Sequence, residues 1–204
     1  MSRAAQPSLQ ALLRTSDRIS SVVGRSFGWL IVAMVGLIVF EVAARYLFRM
    51  PHAWVLDASI MGYGALFMMG GAYTLAQQNH VRGDILYGML RPRTQAGIDL
   101  ALYLVFFCPG LVALIWAGYA FAAESWAIRE LSPLTAVGAP VYPFKALIPL
   151  GGALLMMQGI AEMLRCVVCL RTGEWAPREA DVQEVDVDKL KGQLSGAATT
   201  EARP

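Results

Sequence analysis

Four long apolar runs limit what this chain can fold into: about Phe27–Phe48, Val55–Ala76, Ile98–Ala123 and Phe144–Leu170. Each reaches the roughly 20 residues needed to cross the hydrocarbon core of a bilayer. No water serves a backbone at that depth, so every N–H and C=O must find its partner inside the segment, and the runs are expected to be helices. The sequence lacks the short alternating segments of a membrane barrel. Composition agrees: 16% of the 204 residues are charged, against about 25% in soluble domains. The expected fold class is an all-α integral membrane protein with four transmembrane helices. The first run is too long for the apolar region of a secretory signal, and it ends in Arg45-Tyr46-Leu47-Phe48 rather than small residues, so it reads as a retained span.

Positive residues near the span ends set the orientation. Arg3, Arg14, Arg18 and Arg25 precede the first span, and Arg82, Arg91 and Arg93 lie between the second and third. Arg165 and Arg171 lie at the far end of the fourth span, whereas the first and third loops hold Arg45, Arg49, Arg129 and Lys145. This asymmetry places both termini in the cytoplasm, an N-in/C-in topology. Residues 1–26 repeat Leu9, Leu12, Leu13, Ile19, Val22 and Val23 near helical spacing, with Arg14, Asp17, Arg18 and Arg25 on the polar face. Such a segment suits an amphipathic helix lying on the inner leaflet, its arginines toward anionic lipid headgroups. Residues 27–170 form the four-helix membrane domain, and an apolar face over residues 81–90 suggests a second interfacial helix. Residues 171–204 form a cytoplasmic tail, acidic and poor in aromatics beyond Glu174, a composition that favours disorder.

Within the spans, Ala58, Gly62, Ala65, Ala72 and Ala76 make a small-residue stripe interrupted by Met69. In lipid such stripes let helix backbones approach closely. Pro109-Gly110 interrupts the third span, where a kink is expected. The loop after it, rich in Pro and Gly, should be ordered by its prolines rather than helical throughout. Cys166 and Cys169 form a C-x-x-C pair, but a structural metal needs about four ligands and no second Cys/His pair accompanies them. They read as packed thiols.

Glu41 lies inside the first span, where an acid is costly and usually paired or functional. Arg45 follows four residues later, in the favourable acid-before-base order for a helical ion pair. Gln158, Glu162 and Arg165 form a polar ladder in the fourth span, and Arg165 is expected to snorkel to the headgroups. No nucleotide loop, nucleophile–base arrangement or metal cluster is legible, so neither an enzyme nor a nucleic-acid binder is indicated. No cofactor is expected in this chain.

Several features fall in a familiar order. Glu41, Arg45-Tyr46-x-Phe48, Pro51, Trp54 and Asp57 come first, then "HVRGD" with His80 and Asp84, then Pro92-Arg93. They are followed by "PVYPFKALIPLG", which holds Lys145, and by "LLMMQGIAEMLR", which holds Gln158 and Glu162. With four spans, this order resembles the small membrane subunit (DctQ-like) of TRAP transporters, the tripartite ATP-independent periplasmic carriers. Position 57 is Asp where the family more often has Glu, and position 142 is Tyr where it usually has Trp.

The resemblance implies a small scaffold subunit of a sodium-coupled secondary transporter in the bacterial inner membrane. Such systems import an organic anion, a carboxylate or acid sugar, delivered by a periplasmic substrate-binding protein (DctP-like). A large membrane subunit (DctM-like) moves the substrate with sodium by an elevator motion, so sodium belongs to that subunit. The small subunit steadies it and supports docking. On this reading Glu41, Arg45, Arg49, Trp54, Asp57, His80, Asp84, Lys145, Gln158 and Glu162 are structural or partner contacts, and Arg45 and Arg49 are expected to pair with Asp57 across the outer hairpin. The alternative is a stand-alone small multidrug-type exporter using Glu41, but that class lacks the leader, outer loop and tail seen here.

Overall fold

The computed structural model describes residues 5–77 and 90–175, with side chains from residue 9 onward. His80, Asp84, the apolar stretch 81–89 and the tail from residue 176 lie outside the described residues. The described chain is helical: α1 (Ala5–Gly28), α2 (Leu30–Leu47), α3 (Trp54–Ala76), α4 (Pro92–Leu102), α5 (Cys108–Ile128), α6 (Tyr142–Lys145) and α7 (Leu147–Thr172). Only Trp29 separates α1 from α2, and a five-residue π turn, Tyr103–Phe107, joins α4 to α5. Four helical segments are long and apolar enough to cross a membrane: Leu9–Leu47, Trp54–Ala76, Pro92–Ile128 and Tyr142–Thr172. The protein is a multi-pass membrane protein by this architecture. Leu9–Leu47 has 39 residues. At about 1.5 Å per residue it is about twice as long as a bilayer core is thick, so much of α1 must tilt or lie beyond the hydrocarbon.

The helices form a row rather than a closed bundle. α2 packs on α3, α3 on α7, and α7 on α5 and α4, while α1 crosses one face to lie on α3 and α7. Burial follows that layout. Large apolar residues face outward, with Trp116 80% exposed and Phe67 and Phe106 each 71% exposed. The buried positions are instead mostly small or polar, among them Ala65, Ala72, Ala76, Ala161, Ser20 and Gln158. A soluble core would be arranged the other way round. In lipid, grease gains nothing by turning inward, so helices associate through close approach and polar contacts. The stripe on α3 accordingly packs within the chain, with Ala65, Ala72 and Ala76 buried.

Two glycines show how tight the approach is. A Cβ on Gly24 of α1 would lie 2.3 Å from Tyr73 Cβ of α3, and one on Gly159 of α7 would lie 2.1 Å from Phe107 Cε1. Phe107 ends the π turn, and its position follows from Pro109. Proline cannot donate to the carbonyl four residues back, and its ring crowds that carbonyl. The helix widens just before it: Cys108 donates its N–H to the Tyr103 carbonyl, five residues back. The interruption expected at Pro109-Gly110 is thus a π turn placed one residue ahead of the proline.

Candidate functional site

Polar residues gather at two places, one near each end of the spanning helices. At the inner end, named for the cytoplasmic side in the topology inferred above, α1 supplies Ser16, Asp17 and Ser20, and α7 supplies Gln158, Glu162 and Arg165. Arg165 is completely buried. Its Nη2 donates to Asp17 Oδ2 at 2.5 Å, and its Nη1 donates to Glu162 Oε1. Gln158 donates to Asp17 Oδ1 at 2.9 Å and accepts from Ser16 and Ser20 at 3.1 and 3.0 Å. Every sizeable polar group of this face of α1 therefore terminates on α7.

This arrangement corrects two expectations. Arg165 does not snorkel to the headgroups, because Asp17 and Glu162 hold it inside. Asp17 does not share the exposed polar face with Arg14, Arg18 and Arg25, which stay exposed while Asp17 is turned inward. The sequence held a signal for this: Leu13, Asp17, Ser20 and Gly24 recur at helical spacing along one stripe of α1, and all four are buried.

At the outer end, Glu41 of α2 reaches into the turn joining α2 to α3. It accepts from Arg45 Nη2 at 2.8 Å and from the His52 backbone N–H at 3.1 and 3.2 Å. The His52 ring lies beside it, with Nδ1 3.4 Å from Glu41 Oε2, and is flanked by Phe40 and Trp54 at centroid distances of 5.4 and 6.4 Å. The i,i+4 pair of Glu41 and Arg45 expected from the sequence is present, and the acid also anchors the turn. A cleft of about 690 Å³ opens here, lined by Glu41, Arg45, His52, Ser59 and Thr135 among others.

Asp57 is engaged elsewhere. It is fully buried and accepts from the hydroxyls of Ser132, at 2.5 Å, and Thr135. Both lie in the loop between α5 and α6. The expected pairing of Asp57 with Arg45 and Arg49 is therefore wrong: Glu41 holds Arg45 from one turn back on the same helix, and the distant loop folds over the start of α3. That loop is ordered by its own backbone. Ser132 N–H donates to the Ala139 carbonyl at 2.7 Å, and Val141 N–H to that of Glu130 at 3.1 Å. Lys145 of α6 pairs with Glu130, and its ammonium lies 3.9 Å from the centre of the Phe121 ring. The Lys145 ammonium beside Glu130 holds that carboxyl below the usual glutamate range.

Among the described residues no group of three or more His, Cys, Asp or Glu converges as a metal site. Cys166 and Cys169 are buried thiols, packed with Ala96 of α4. The polar groups of this chain thus join helices and pin loops. Residues 34–169 match the model of a protein family described as tripartite ATP-independent periplasmic transporters, DctQ component. The chain belongs to the DctQ family. That family is a component of tripartite transporters and not an enzyme family, so the resemblance read from the sequence holds. No curated protein matched the chain. Within the DctQ chain the matched region runs from α2 to α7. Asp17 lies ahead of it, and its partner Arg165 lies inside it.

Proposed function

We propose that this DctQ chain is the small scaffold subunit of a sodium-coupled transporter importing an organic anion, of the carboxylate or acid-sugar class, across the bacterial inner membrane. Both termini face the cytoplasm. A large DctM-like subunit carries substrate and sodium, and a periplasmic DctP-like binding protein delivers the anion. The observation that carries the scaffold role is the open row of helices with large apolar side chains on its faces. A row shields less of its surface than a closed bundle and offers a long side to a second membrane protein. The charged groups inside the row are held by neighbours in the chain, Arg165 by Asp17 and Glu162 and Asp57 by the Ser132 and Thr135 hydroxyls, which suits a rigid frame. Glu41 in particular is held by Arg45 and by His52, which speaks against an exporter that cycles protons or cations through it.

The test is association. The large subunit, extracted in mild detergent, should co-purify with tagged DctQ chain and gain thermal stability from it. A large subunit that purifies alone with the same melting temperature would remove the scaffold role.

A further inference from the structure

The outward side of α1 carries charge that the described fold does not answer. Arg14, Arg18 and Arg25 are exposed, and their spacing sets them on one stripe of the helix. The one acid of α1, Asp17, is turned inward to Arg165 and Gln158. Among the described residues no carboxylate pairs with the three arginines. The stripe therefore presents three guanidinium groups along about 16 Å of helix.

The same chain holds an anion to match. Residues 179–188 carry Glu179, Asp181, Glu184, Asp186 and Asp188 and no base. Where the described chain ends decides how far this segment can reach. Asp17 binds Arg165, and α7 continues from Arg165 to Thr172, about 10 Å further along its axis. Trp175 then packs against Ala96, Cys166 and Cys169, and its indole N–H donates to Gln95 Oε1 at 3.4 Å. The acidic segment thus starts from a fixed point at the end of α7 that also holds α1. An extended chain covers about 3.3 Å per residue, so residue 179 can lie up to about 13 Å from Trp175 and residue 188 up to about 43 Å. That is enough to run the length of the arginine stripe. Tethering gives the carboxylates an effective concentration of about millimolar at the stripe, whatever the lipid composition.

We infer that residues 179–188 dock across the Arg14, Arg18 and Arg25 stripe of α1, so that the chain's own acidic segment takes the place expected for anionic lipid headgroups. Neither the membrane topology nor a transport partner enters this inference. Zero-length crosslinking of the full chain, one copy per nanodisc, tests it. Arg18→Lys keeps the charge and supplies an amine that a carbodiimide couples to a touching carboxylate. Arg91→Lys, at the exposed start of α4 near Trp175, is the control. Peptide mapping by mass spectrometry should find position 18 joined to residues 179–188 several times more often than position 91, in zwitterionic and anionic lipid alike. The yield at position 18 should fall several-fold between about 0.1 and about 1 M salt, as the Debye length shrinks from about 10 to about 3 Å. Equal yields at the two positions would overturn the docking, because a tethered acidic segment meeting any nearby amine would give the same result. A link present in zwitterionic nanodiscs but lost in anionic ones would overturn it as well, making the arginines headgroup ligands.

Discussion

Arg165 is the residue on which the most depends. A guanidinium with no exposure, held by carboxylates from two helices, cannot be removed without stranding buried negative charge. Arg165→Ala should lower stability by about 3–5 kcal/mol, seen as a fall in the melting temperature of the purified chain. Asp17→Asn should cost much less, since Glu162 still holds the arginine. An equal loss from both variants would mean that α1 docking, not the buried charge, sets the cost. Asp57→Ala should leave the Ser132 and Thr135 hydroxyls without their acceptor, at about 1–3 kcal/mol, and loosen the α5–α6 loop to proteolysis. Arg45→Ala should leave that loop as it was. Glu130 adds a pH dependence of known sign. Its folded carboxyl is held below the ordinary range, chiefly by Lys145, so its contribution is present at neutral pH. That contribution is lost as pH falls from the unfolded value through the lowered folded one. Melting temperature should therefore decline less steeply in that acid range for Lys145→Gln than for the wild type. Pairs of this kind divide by how far apart they lie in sequence. Glu41 and Arg45 share one helix face, and helical spacing alone brings them together. Asp57 with Ser132, or Asp17 with Arg165, meet only through packing, and local spacing carries no trace of it.

At the scale of elements, the spans were visible because length and hydropathy are properties of a run of residues, and the bilayer demands both. The π turn was half visible. Pro109 announces a break in the hydrogen-bond ladder, but whether the helix kinks or widens depends on what it packs against, here Gly159 of α7 beneath Phe107. The two are coupled. Gly159→Ala should destabilise by about 1–3 kcal/mol as its new methyl meets the ring. Adding Phe107→Ala should recover part of that loss, and the nonadditivity between the two changes measures the contact. Strict additivity would show that the ring moves aside freely. The helix α1 was also half visible. Its periodicity gave a helix, but it did not say that the stripe bearing Asp17 would turn inward.

At the scale of the whole molecule, the four spans fixed the class but not the arrangement, because the same spans can close into a bundle or lie in a row. The row follows from which faces carry small and polar residues, and α3 and α7 have them in abundance. Such a frame has broad apolar sides, and it belongs to a family of transporter components. A scaffold of this kind should move nothing alone and be required by its partners. Transport into proteoliposomes measures this most directly. A sodium gradient would be imposed, binding protein loaded with labelled carboxylate added, and membranes compared that hold the DctQ chain, the large subunit, or both. We expect accumulation only with both, and none from the DctQ chain by itself. Accumulation by the DctQ chain alone, or full uptake by the large subunit without it, would contradict the scaffold role.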